Sequence, residues 1–196
     1  MIAAEFRPAD YGPVVARLLE PRRLAELGPG SPHVEAYEAL KQLTNASVFG
    51  GRLVSDLSMA SACLAGLWLY HDYLDESHRI SQEIHTATGS FWHAIMHRRE
   101  GDYSNSKYWF RQVGRHPVYP RLQRAAAQLS TEAKPDLTSG LFAGHDEWDA
   151  EAFIDLCQKA HLSGSSLATL CRWIQLREWE ILFDYCFRVA TEPRPA

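Results

Sequence analysis

Apolar positions along the chain recur at helical spacing, and no strictly alternating run of useful length appears. Leu57, Ala60, Leu64, Leu67, Trp68 and His71 fall within about a 100° arc at helical pitch. This predicts a helix over Leu57–Tyr73, capped by Asp56, with His71 in the middle of its apolar stripe. Ser31-Pro32 reads as a cap followed by proline at the first helical position, opening a helix over His33–Leu43. Thr44–Arg52 contains Asn45, Gly50 and Gly51 and reads as a loop. Asp75 reads as the cap of the next helix. Thr86–Ser90 reads as a break, after which Ser90 caps Phe91–Glu100. Gly101-Asp102 is a turn before a helix over Asn105–Val113, whose inward face is Ser106, Trp109, Phe110 and Val113. Pro120 opens Arg121–Leu129. Ser130–Trp148, with His145, Asp146 and Glu147, is the least patterned stretch, long enough to serve as a lid. Asp149 caps Ala150–His161, and a long helix over Leu167–Ala190, apolar on most sides, closes the chain. The expected fold class is all-α, with antiparallel helical hairpins packed around the C-terminal helix as one domain over residues 1–196.

Leu64–Ile80 and His93–Trp109 superpose at an offset of 29 residues. Each reads as helix, tight polar turn (HDYLDES and EGDYSNS) and second helix. REGDYSNSKYWFRQVG locally resembles the helix–turn–helix of tetratricopeptide repeats, in which small residues on the second helix let the pair pack closely. Ser77 and Ser106 hold the matching places here. A longer stretch, LWLYHDYLDESHRISQEIHTATGSFWHAIMHRREGDYSNSKYWFRQVGRHPVYPRL, resembles a family of uncharacterised bacterial and fungal proteins. That resemblance implies no activity and carries no catalytic assignment.

The 196 residues carry a formal net charge of −4. There is no basic footprint of the kind that binds nucleic acid. The N-terminus has no apolar core of a secretory signal, and the longest apolar run, Cys63–Tyr70, is far short of a membrane span. The expected setting is the cytoplasm, with neither nucleic acid nor membrane as partner. Cys63, Cys157, Cys171 and Cys186 form no CxxC pair and read as small buried apolar residues.

The candidate chemistry is concentrated between His71 and His116. His71, Asp75 and His78 share the spacing i, i+4, i+7 with His93, His97 and Glu100; on a continuous helix each triplet shares one face, whereas a cap at Asp75 puts His71 and His78 on different helices of a hairpin. Two such helices can hold zinc, iron or manganese, although HExxH and the Glu-x-x-His of di-iron bundles are both absent and no residue is assigned as a metal ligand. The same groups suit acid–base catalysis, with His71, His97 and Glu100 as catalytic candidates. His78, His93, Arg98, Lys107 and Arg111 are candidate ligand-binding residues for a small anion or a carboxylate-bearing peptide. Arg177, Asp184 and Arg188, on the apolar C-terminal helix, are expected to need partners such as His71 or Glu100. Neither GxGxxG nor the P-loop pattern occurs, so nucleotide binding by those routes is not indicated, and the cofactor is left unknown. The expectation is a helical binding domain for a small anionic ligand or peptide. The alternatives are a hydrolase built on the same His/Asp/Glu cluster, with or without a metal, and a scaffold. Whether the hairpin turns bring His71 and His78 to the edge carrying His93 and His97 decides among them.

Overall fold

The computed structural model describes residues 6–20, 22–133, 142, 147–163 and 166–192. Ten α-helices and no strand are present among them. The helices are α1 (Pro13–Leu18), α2 (Tyr37–Lys41), α3 (Asn45–Val48), α4 (Leu57–Tyr70), α5 (Leu74–Ser81), α6 (Ala87–Glu100), α7 (Tyr103–Val113), α8 (Tyr119–Glu132), α9 (Ala150–Ser163) and α10 (Ser166–Thr191). Helices α4/α5 and α6/α7 form two consecutive hairpins, and α10 packs against α4, α8 and α9. The expected all-α class and the organising role of the last helix therefore hold. No helix is long and apolar enough to cross a membrane among the described residues.

Local chemistry sets the boundaries. Asp56 accepts from the Met59 amide at 3.0 Å and starts α4; Asp149 accepts from the Ala152 amide at 2.9 Å and starts α9. Other boundaries differ from the sequence expectation. Helix α6 begins at Ala87, because Thr86 rather than Ser90 accepts from the Gly89 amide, at 3.2 Å. A Cβ on Gly89 would lie 2.0 Å from the Ile84 carbonyl oxygen, so only glycine lets the first turn of α6 sit against the incoming chain. Helix α5 begins at Leu74 without a side-chain cap, and Asp75 lies in its first turn, favouring the dipole instead. Helix α7 begins at Tyr103, capped by Asp102. Thr44–Arg52 is not all loop, because a reciprocal Thr44–Ser47 capping box starts α3. His33–Leu43 is not one helix either. The His33 amide bonds the His71 carbonyl at 3.0 Å, which holds His33 extended, and α2 starts only at Tyr37. Of the stretch Ser130–Trp148, Ser130–Glu132 extends α8, while His145 and Asp146 lie outside the described residues.

Helix α6 is buried around its full circumference from Phe91 to Arg99. Gly66 on α4 makes this fit possible, since a Cβ there would come within 2.8 Å of the Trp92 ring. The Trp179 indole donates to the Gly66 carbonyl at 2.8 Å. All four cysteines are free and buried.

Charged groups enter this core in pairs. Arg98 and Glu178 are both wholly buried and form a two-pronged salt bridge. Asp72 bridges Arg99 at 2.5 Å and Arg23 at 2.9 Å. Asp184 accepts from Tyr11 at 2.8 Å, Arg121 at 2.6 Å and Arg188 at 2.8 Å, while Glu180 pairs with Arg22 and Arg177. The charges on the last helix thus have partners, but these are neither His71 nor Glu100.

Between α1 and α2 the chain runs without regular structure and is held down by side chains. Arg172 donates to the carbonyls of Leu24 and Ala25, Gln175 to that of Glu26, and Arg99 to that of Gly28.

Candidate functional site

The chain turns at the end of α4, and that turn separates the first histidine triplet. Helix α4 stops at Tyr70, and Asp72 adopts φ 64°, a left-handed conformation unusual outside glycine. His71 is therefore not on a helix face. It is buried against the chain before α2, its Nδ1 3.0 Å from Nδ1 of His33 and the two rings stacked. Burial first, then His33 and Arg23, push its pKa down to about 4.

His78 goes the other way. From the middle of α5 its ring meets α6, with centroids 4.5 Å from His93 and 5.5 Å from His97; His93 and His97 are 4.6 Å apart. One nitrogen of each ring lies within 4.8 Å of the other two. His93 and His97 are buried and His78 is half-buried. The hairpin turns thus bring His78 to the edge carrying His93 and His97, and leave His71 out.

Neighbours fix the proton on two of the rings. The Ser81 hydroxyl lies 3.2 Å from the His78 carbonyl and 3.1 Å from Nδ1 of His93; with its proton on the carbonyl, its oxygen accepts from Nδ1–H. This leaves the lone pair of His93 on Nε2. Nδ1 of His97 lies 2.5 Å from the Glu100 carboxylate and donates to it, again leaving Nε2 as the basic nitrogen. The side-chain amide nitrogen of Asn105 is 3.1 Å from that Nε2, to which it donates, and 3.3 Å from Nδ1. The Trp109 ring covers His93 at a centroid distance of 4.3 Å. Burial, then His97, then His78 push the His93 pKa down to about 4, so this imidazole is neutral near pH 7. Asp102 belongs to a second group with His97 and Glu100, and its carboxyl is held low chiefly by the backbone N–H of Asn105.

The basic residues expected beside the histidines are not with them. Arg98 projects from a different side of α6 into its salt bridge with Glu178, a correction to its reading as a ligand-binding group; a wholly buried guanidinium requires that carboxylate. Lys107 pairs with Asp155 at 2.5 Å and Arg111 with Glu151 at 3.2 Å, both on α9. His116 lies elsewhere, 3.1 Å from the Thr88 hydroxyl, and burial pushes its pKa down to about 4. His85 is exposed.

Ser81, Asn105 and Trp109 complete the site, and sequence reasoning did not place them there. Trp109 was legible only as an inward-facing residue of α7. Asn105 carried one signal, its position three residues after a capping Asp102. Ser81, three residues after His78, carried none.

No protein-family model, curated protein or solved structure matches the chain.

Proposed function

We propose that the protein is a transition-metal-binding domain whose ion is held by His78, His93 and His97. The observation that carries this reading is the convergence of three imidazoles whose nitrogens lie within 4.8 Å of one another across two helices. On one zinc ion, with Zn–N of about 2.0–2.1 Å, such nitrogens sit about 3.4 Å apart.

Chemistry favours a metal over an anion. Arg98, Lys107 and Arg111 are engaged with carboxylates, so the cluster is a set of electron-pair donors with no cation among them. A metal does not have to displace a proton from His93, which is already neutral. Ser81 and Glu100 hold the Nδ1 hydrogens, which leaves Nε2 of His93 and His97 for the ion, as in carboxylate–histidine–metal arrangements; at His97 the ion would displace the Asn105 side-chain amide. Nitrogen donors of this kind suit zinc, cobalt, nickel or copper rather than magnesium or calcium.

The test is calorimetric titration of the chelator-treated chain with zinc sulfate. One ion per chain is expected, undisturbed by millimolar magnesium. Finding no stoichiometric zinc, or equal affinity in the His78→Gln, His93→Gln and His97→Gln variants, refutes the reading.

A further inference from the structure

Helix α10 carries a stripe that shares no residue with the histidine cluster. Ser166, Thr169, Leu170, Trp173 and Arg177 recur at i, i+3, i+4, i+7 and i+11, so they lie along one side of the helix over roughly 16 Å. The last turn of α8 and the residue after it, with Leu129 and Ala133, form the facing wall, and the two walls enclose a groove of about 580 Å³. That volume is in the range of small-molecule sites, and the lining is mostly apolar, as such sites are. Leu129, Ala133 and Trp173 are only half-buried, so the apolar surface is open to an incoming molecule.

One end of the groove is basic. Arg22, from the chain after α1, and Arg177 both pair with the buried Glu180 carboxylate, at 2.7 and 2.5 Å. Two guanidiniums on one carboxylate leave one positive charge unbalanced. Each arginine spends on Glu180 one of its five N–H donors. The Arg22 side chain is 54% exposed and that of Arg177 22%, so donors remain for a second carboxylate. The Arg22 guanidinium carbon also sits 5.3 Å from the centre of the Trp173 ring, which joins the charged end to the apolar wall. Glu132, the other acidic residue of the groove, accepts from Gln128 at 2.9 Å and pairs with neither arginine.

From this arrangement we propose that the groove between α8 and α10 binds a straight-chain alkyl carboxylate. The planar head matches the fork of donors that guanidinium groups present. The chain lies over Trp173 and Leu170 toward Thr169. A single aromatic ring is much shorter than this stripe, whereas an alkyl chain of medium length spans it. The proposal does not rest on the metal reading, because His78, His93 and His97 take no part in the groove.

The experiment titrates sodium decanoate, well below its micellar range, into the full chelator-treated chain by calorimetry. One molecule per chain is expected, with a Kd of about 100 µM or tighter. Acetate has the charge without the chain, and decyltrimethylammonium has the chain with the opposite charge. Each should bind at least about tenfold more weakly than decanoate. Arg22→Gln removes a head-group donor, and Thr169→Glu places a negative charge at an exposed position of the groove. Each should weaken decanoate about tenfold or more. His78→Gln should leave decanoate affinity unchanged, which keeps this result separate from the zinc titration. Absence of saturable binding, several molecules per chain, equal affinity for decyltrimethylammonium, or undiminished binding in both Arg22→Gln and Thr169→Glu overturns the proposal.

Discussion

On one side of α6, Arg98 and Arg99 enter the core opposite carboxylates; on another, His93 and His97 enter it opposite a third imidazole. Both regions put polar groups where water is scarce. The arginine side is complete in itself, because Glu178 and Asp72 supply the missing charge and the hydrogen-bond acceptors. The histidine side is not. Its rings can stay uncharged, and one nitrogen of each lies within 4.8 Å of the other two, where a shared ion would join them. The comparison separates polar burial that stabilises a fold from polar burial that awaits a ligand.

Acid should separate the two sides most. His71, His93 and His116 are each pushed down to about 4, mainly by burial, whereas a histidine in the unfolded chain titrates near 6.5. Between those values the unfolded chain binds more protons. Stability is therefore full above about pH 6.5 and lost as the pH falls toward 4, by up to ~1.4 kcal/mol per pH unit for each histidine. Urea midpoints measured from pH 7 to 4.5 should fall continuously, and a flat profile would contradict the neutral state of these rings. Next in size, Arg98→Met leaves Glu178 charged and alone in the core and should cost about 3–5 kcal/mol. Its zinc affinity should be unchanged in whatever fraction stays folded. His93→Leu should do the reverse, weakening zinc binding about a hundredfold or more while altering metal-free stability by less than about 1.5 kcal/mol. If His93→Leu destabilises the metal-free chain as much as Arg98→Met does, the histidines are structural and the contrast fails. Glu100→Gln is milder still, about tenfold in zinc affinity, through loss of the carboxylate that holds Nδ1 of His97.

The fold was legible because helical periodicity and caps such as Asp56 and Asp149 are local signals, and tertiary contacts did not override them. Where they did override, the sequence expectation failed. The apolar phase of α4 ran on through His71, but the left-handed Asp72 ends the helix and sends His71 to His33. His93 and His97 were legible as an i, i+4 pair, whereas joining them to His78 depended on the direction of the α5–α6 connection. Arg98 sits in sequence between His97 and Arg99, and nothing there tells that a 100° step per residue carries it to Glu178, far along the chain. Glu178 itself, on a helix apolar nearly all round, was the available clue that a buried cation had to exist somewhere.

The unpatterned chain between α1 and α2 is fastened through its carbonyl oxygens by Arg172, Gln175 and Arg99 rather than through a ladder of amide hydrogens. Besides the amides of Arg23 and His33 and the buried Leu27, its attachment belongs to a few long side chains, each of which can let go without any helix unwinding. Under mild denaturant this segment should lift before the bundle opens. Brief trypsin exposure, cutting after Arg22 or Arg23, would then report the free energy of that local opening, separate from global unfolding.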